Sequence, residues 1–129
     1  MPSLSTAPDD LVLRLSGVAL GYGDVSILRD ISLDVRRGQV VALMGGSGSG
    51  KTTLLRAATG QIKAQAGCVT LFDQDLSKVS GPALQALRQK MGVLFQQGAL
   101  FTDLNVFENV AFPLREHAKL SPTELLARV

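Results

Sequence analysis

The sequence of 129 residues contains no tryptophan, one tyrosine, one histidine and one cysteine. A lone cysteine, Cys68, excludes an intrachain disulfide and suits a reducing compartment. The one histidine, His117, sits in the polar run Arg115-Glu116-His117-Ala118-Lys119 and reads as an exposed side chain rather than a catalytic one. No uninterrupted apolar stretch approaches the ~18 residues of a membrane span. An excess of one charge is missing too: 13 basic residues face 11 acidic ones, for a formal net charge of +2. With no basic run to track phosphates, no nucleic-acid partner is expected. Residues 1–10 have neither the basic flank nor the apolar stretch of a signal peptide, and their Pro, Ser and Asp content predicts a flexible tail. The expectation is one soluble, intracellular domain, long enough to bury a core.

What the chain does have is glycine, concentrated where it can act. Gly45-Gly46-Ser47-Gly48-Ser49-Gly50-Lys51-Thr52 fits the phosphate-loop pattern G-x-x-x-x-G-K-[ST]. Glycines let backbone N–H groups close around a polyphosphate, and a helix opening at Gly50 would aim its free N–H groups at the same anion. Lys51 would reach the β- and γ-phosphates, and the Thr52 hydroxyl would ligate a bridging Mg²⁺. The plain alternative is a glycine-rich turn without a ligand; at this composition the pattern arises by chance on the order of 1% of the time. Kinases, GTPases, motor ATPases and transporter ATPases all carry such loops, so the loop alone names no reaction.

Around the loop, periodicity changes character. Residues 11–15, 18–20, 25–28 and 31–35 read as an antiparallel meander, punctuated by Gly17 and the turn Gly21-Tyr22-Gly23-Asp24. Val40-Val41-Ala42-Leu43-Met44 is a continuous apolar run, the pattern of a strand buried on both faces. Helices are predicted over 50–59, with Gly60 as the stop, and over 82–90 behind Pro82. Strands are predicted over 67–72 and 91–95, with 73–75 as a turn. Asn105 with Glu108, and Ser121 with Glu124, mark two further helix starts.

Four stretches in this order carry a resemblance: "LGYGDVSILRDISLDVRRGQVVALMGGSGSGKTTLLR", "ATGQIKAQAGCVTLFDQDL", "MGVLFQQGALFTDLNVFENVAFPL" and the "LREH" that follows. Together they resemble the nucleotide-binding domain of ABC transporters, and "MGVLFQQGALFTDLNVFENVAFPL" with the "LREH" after it is most similar to the ATPase subunits of bacterial Mla/MCE-type phospholipid transporters. The resemblance implies an α/β fold, a P-loop NTPase (RecA-like) core carrying an N-terminal antiparallel β-subdomain. It implies that residues 11–129 form the N-terminal half of that domain, with a helical subdomain starting near 103.

It also implies roles for residues. Tyr22 matches the aromatic that stacks on adenine; without the family, a partly exposed packing residue would be the reading. Gly45, Gly46, Ser47, Gly48, Ser49, Gly50, Lys51, Thr52 and Thr53 match the ATP-binding loop, with Thr52 and Gln96 toward Mg²⁺. Lys51 and Gln96 match the residues closest to hydrolysis, Gln96 as the glutamine that can touch Mg²⁺ or the attacking water. Two surface glutamines in a loop is the unassisted reading of Gln96-Gln97. The run 97–112, rich in apolar residues such as Leu100, Phe101, Val106 and Phe112, matches the face that packs on a membrane permease subunit. Half of those side chains are equally well read as ordinary core.

The resemblance further implies ATP and Mg²⁺ as cofactors, a homodimer in full-length members, and a peripheral place on the cytoplasmic face of the bacterial inner membrane. No apolar run ending in Asp-Glu, no LSGGQ-like signature and no matching switch histidine appear; Leu15-Ser16-Gly17 precedes the phosphate loop and is a false hit. A truncated domain is therefore expected, in which ATP binding does not imply hydrolysis by this chain alone. The competing expectations are a non-hydrolytic interaction module that binds nucleotide or the permease, and an unrelated phosphate-loop kinase. The antiparallel strands ahead of the loop argue against the kinase.

Overall fold

The computed structural model describes residues 10–129, which divide into two compact units, one ending at Gly92 and one running from Val93 to Val129. Nearly all of the tail expected over residues 1–10 lies outside the described residues. Asp10 is the exception, its carbonyl accepting a hydrogen bond from the Arg37 amide.

The first unit is built on a long hairpin, β1 (Leu11–Tyr22) and β2 (Val25–Arg36), closed by the Tyr22–Val25 pair across Gly23-Asp24. Alternation places Leu13 and Leu15 on one face, and the register shift between Leu15 and Val18 brings Val18 and Leu20 to the same face, so that Leu15, Val18 and Leu20 are buried. Gly17 sits in that shift at φ +55°, a bulge that turns Val18 to the buried face. This is why two short strands predicted around Gly17 form one continuous strand. Asp30, at φ +52°, marks a comparable irregularity in β2. On the solvent side Arg14 donates two 2.9 Å hydrogen bonds to the carboxylate of Asp34, its cross-strand partner. That pairing holds the Asp34 carboxyl below its ordinary pKa.

β3 (Ala66–Leu71) adds antiparallel to the other edge of β1, and a two-residue β4 (Gln74–Asp75) folds back on β3. Phe72 and Asp73 both have positive φ, the backbone of a type I′ hairpin turn. The sheet order is β2-β1-β3-β4. Helix α1 (Lys51–Ala58) packs Leu54 and Ala57 on the sheet's buried face, where they meet Leu15, Leu20, Val69 and Leu71. α2 (Gly81–Arg88), opened by Pro82, closes the same core with Leu87 and donates from Arg88 to the Gly60 carbonyl at 2.6 Å. Each of these buried leucines contributes roughly 1.5–3 kcal/mol. Both helices of this unit stand where the sequence predicts them, and the strands do so too except that Gln74–Asp75, predicted as part of a turn over 73–75, pair with β3 as β4 behind a turn at Phe72-Asp73.

Two predicted strands do not form. Residues 40–44 and 91–95 take part in no strand pairing in the structure. Val40 and Met44 are 98% and 92% exposed, and Leu94 is 86% exposed, where burial on both faces was expected for 40–44. The physical reason is that an apolar run specifies burial but not its ladder partner. The antiparallel sheet ends at β2 on one side and β4 on the other, and neither run pairs with these edges or with any further strand among the described residues.

The second unit holds α3 (Val106–His117) and α4 (Pro122–Arg128). The side chain of Asn105 accepts from the Glu108 amide at 2.8 Å, and Ser121 with Glu124 forms a reciprocal capping box. Both predicted helix starts are thus observed. Glu108 is paired with Arg115 on α3. Asn109 fastens the preceding loop: its side chain accepts from the Phe101 amide and donates to the carbonyls of Phe101, Leu104 and Asn105, all at 2.8–3.1 Å.

Candidate phosphate-loop site

The loop at residues 45–50 leads into α1, whose N-cap is Gly50 in the left-handed region at φ +89°. A side chain there would be strained, and its Cβ would lie 2.8–3.0 Å from the Leu28 side chain of β2. The motif's last glycine is therefore required twice, by its dihedral and by the approach of β2. No side chain caps the helix, and no acid stands in its first turn. The first-turn N–H groups are left to an anion, in the arrangement that favours phosphate.

Lys51 folds back across the loop. Its Nζ donates to the carbonyls of Gly45 and Gly46 at 2.8 and 2.6 Å and to the Ser49 hydroxyl at 3.1 Å. The ammonium is thereby held over the mouth of the loop rather than extended into solvent. A cavity of about 280 Å³ opens beside it, lined by Gly48, Ser49, Gly50, Lys51, Thr52, Thr53 and, from β2, Ile27. The donor set fits a polyphosphate: backbone amides at a helix start, one fixed cation, and the Thr52 hydroxyl at the same wall.

Tyr22 stands at the end of β1, 46% exposed, with its hydroxyl accepting a 3.2 Å hydrogen bond from Nη1 of Arg56 on α1. Arg56, and after it the Thr53 hydroxyl, hold the phenol's pKa below its ordinary value. The structure thus joins Tyr22, Thr53 and the loop through α1. Gln96 lies at an exposed turn position in the second unit, as does Gln97. In that unit Leu100, Phe101, Val106 and Phe112 are exposed, with the Phe101 and Phe112 rings edge to face at 4.8 Å between centroids. Sequence reasoning misses Arg56, Ile27 and Gln65. The last donates to the Gly23 carbonyl at 2.8 Å, across 42 residues of chain, and no local pattern announces such a contact.

A glycine loop that caps a sheet-packed helix, with the following lysine drawn over the loop's own carbonyls, defines the P-loop NTPase class. Comparison with known proteins carries this further. The chain belongs to the ABC transporter family, whose sequence profile matches residues 28–129. It is 49% identical over 115 residues to the intermembrane phospholipid transport system ATP-binding protein MlaF of Escherichia coli K12, covering 89% of this chain and 42% of that protein. To MlaF of Haemophilus influenzae it is 41% identical over 118 residues, covering 92% of this chain and 44% of that one. The chain therefore spans less than half the length of these relatives. Among solved structures, the dimeric post-hydrolysis state of the ATP-binding cassette MJ0796 bound to ADP and Pi aligns with a TM-score of 0.79 at 29% identity. It covers 90% of this chain and 53% of that chain. Among the described residues no helix is long and apolar enough to cross a membrane.

Proposed function

We propose that this chain is the nucleotide-binding portion of an ABC-type phospholipid transport ATPase and takes up Mg·ATP at residues 45–53. The observation that carries this reading is Lys51, fixed by three hydrogen bonds at the mouth of an uncapped helix N-terminus. In the bound state the amides of Gly48, Ser49, Gly50 and Lys51 hold the phosphate oxygens, and Lys51 turns its charge toward the β- and γ-phosphates. Thr52 supplies its hydroxyl to the Mg²⁺, and Thr53 completes the wall of the cavity. Bound Mg²⁺ supplies charge neutralisation along the triphosphate. Tyr22 offers a ring face to adenine. Gln96 would hold the metal and the attacking water by its family resemblance alone, and the exposed apolar residues of 97–112 meet a permease subunit on the cytoplasmic face of a bacterial inner membrane.

Phospholipid as the cargo rests on the likeness to the MlaF proteins, whose names carry it. The pairing of two such domains rests on the dimeric MJ0796 structure. A second reading, a module that binds the permease without turnover, is favoured by the apolar side chains Leu100 and Val106 standing in solvent. Titration with a fluorescent ATP analogue in the presence of Mg²⁺ tests the first reading. Lys51→Ala is expected to weaken binding on the order of 10- to 100-fold, the worth of a charge-assisted contact. Equal affinity of the two chains would contradict the reading.

A further inference from the structure

The hairpin tip that presents Tyr22 is held from two directions by side chains that no motif contains. Gln65, in the segment leading to β3, donates from Nε2 to the Gly23 carbonyl at 2.8 Å, while its own amide donates to Ala19 at 2.9 Å. Gly21 makes that approach feasible: a Cβ there would lie 1.9 Å from the Val25 carbonyl oxygen and 2.9 Å from the Gln65 amide oxygen. From the other direction Arg56 reaches the Tyr22 hydroxyl at 3.2 Å.

The backbone of Arg56 is held in place, while its exposed side chain reaches out to the Tyr22 hydroxyl. Its carbonyl accepts from the Gln61 amide at 2.7 Å and from the Thr59 hydroxyl at 3.3 Å, so the C-terminal turn of α1 closes on it. It lies five residues beyond Lys51 on the same helix, about 7.5 Å along its axis. One short helix therefore carries both the cation of the phosphate loop and the donor that fixes the aromatic ring. Tyr22 as a residue remains 46% exposed with its hydroxyl anchored, which leaves surface for a ligand.

We propose that Arg56 is a positioning residue that, through the Tyr22 hydroxyl, holds the Tyr22 ring as a preformed platform for the nucleotide base. Gln65 secures the turn beneath it. The proposal rests on the reading of the loop as an ATP site and adds to it a device that acts on the base alone. A ring held in its bound orientation loses less freedom on stacking, and the saving appears as affinity. Arg56 lines no part of the cavity beside Gly48–Thr53, although Thr53 of that cavity also meets the Tyr22 hydroxyl.

The test separates base from phosphate. Wild type, Arg56→Ala, Arg56→Lys, Tyr22→Phe and the double variant Arg56→Ala/Tyr22→Phe are titrated with Mg·ATP and, separately, with magnesium tripolyphosphate, which has no base. Tyr22→Phe keeps the ring and loses only the hydroxyl, so it reports on the anchor even where Arg56→Ala folds poorly. The expected result is an ATP affinity about fivefold lower in Arg56→Ala and in Tyr22→Phe, the scale of one hydrogen bond. The double variant falls no further, Arg56→Lys recovers part of the loss, and tripolyphosphate binding is the same throughout. Additive losses in the double variant, an equal loss toward tripolyphosphate, or unchanged ATP affinity would overturn the proposal. A wild-type chain that binds neither ligand would instead remove the nucleotide reading on which it stands.

Discussion

Two stretches of the first unit have nearly the same composition and opposite fates. Leu13, Leu15, Val18 and Leu20 of β1 are all paired with β2, Leu13 and Leu15 with β3 as well, and Leu15, Val18 and Leu20 are buried. Val40, Val41, Leu43 and Met44 are as apolar, yet they pair with nothing in the sheet and leave Val40 and Met44 almost wholly in solvent. Val41 and Leu43 are less exposed, at 44% and 41%, and border an open cleft of about 240 Å³ with Leu13, Leu33, Leu54 and Leu55. The run is thus partly covered on one side and open on the other. The difference teaches that apolar side chains alone do not make a strand: the backbone needs a neighbour to exchange hydrogen bonds with. The phosphate loop begins at the end of this half-packed run, while its other end enters α1, which the sheet holds firmly.

The largest effect expected from breaking this contrast is in the sheet. Leu15→Ala, at a position 2% exposed, is expected to lower unfolding free energy by about 2–5 kcal/mol in urea titrations. Val41→Ala, on the half-open run, is expected to cost clearly less. Equal losses at the two positions would dissolve the comparison.

A smaller effect comes from acid. Asp75 of β4 accepts from the Ser77 hydroxyl at 2.7 Å and the Ser77 amide at 2.9 Å, with Lys78 nearby, and its pKa is lowered to about 2. Its folded pKa lies below the unfolded value of roughly 3.9, so its stabilising contribution is fully present above that value. It is lost as pH falls toward 2. The midpoint of urea unfolding should therefore drop between pH 4 and pH 2, and Asp75→Asn should lessen that drop. Residues 40–44 hold no titratable side chain, and acid should not act on them directly.

The smallest effect on stability belongs to the open side of the run. Met44→Lys is expected to change unfolding free energy by no more than about 0.5 kcal/mol. Light scattering at high concentration should nevertheless decrease, because a charge on an unpaired apolar edge discourages association. A loss of stability as large as that of Leu15→Ala would mean that Met44 is buried in solution.

Much of this was legible in the sequence wherever the signal is local. The loop, the Gly60 stop, Pro82 and the caps at Asn105 and Ser121 are set by neighbours within a few residues, and each stands where predicted. The merging of short strands into β1 was hidden because Gly17 reads as a breaker, whereas in a bulge it re-aims the strand without ending it. The fate of 40–44 and 91–95 was hidden because pairing depends on distant segments. Arg56 and Gln65 were hidden for the same reason, since their partners lie 34 and 42 residues away. The loop and helix start over 45–53 have the geometry that the motif predicts, but the clamp on Tyr22 needed the fold.

The central claim is that residues 45–53 hold a nucleotide's phosphates while the sheet behind them stays as it is. Amide-resolved NMR of the chain during addition of Mg·ATP addresses this most directly. The account predicts saturable shifts at the amides of Gly48, Gly50, Lys51 and Thr52, with Leu15, Val18 and Val69 unmoved. Unmoved loop amides at saturating Mg·ATP, or shifts confined to the sheet, would contradict it.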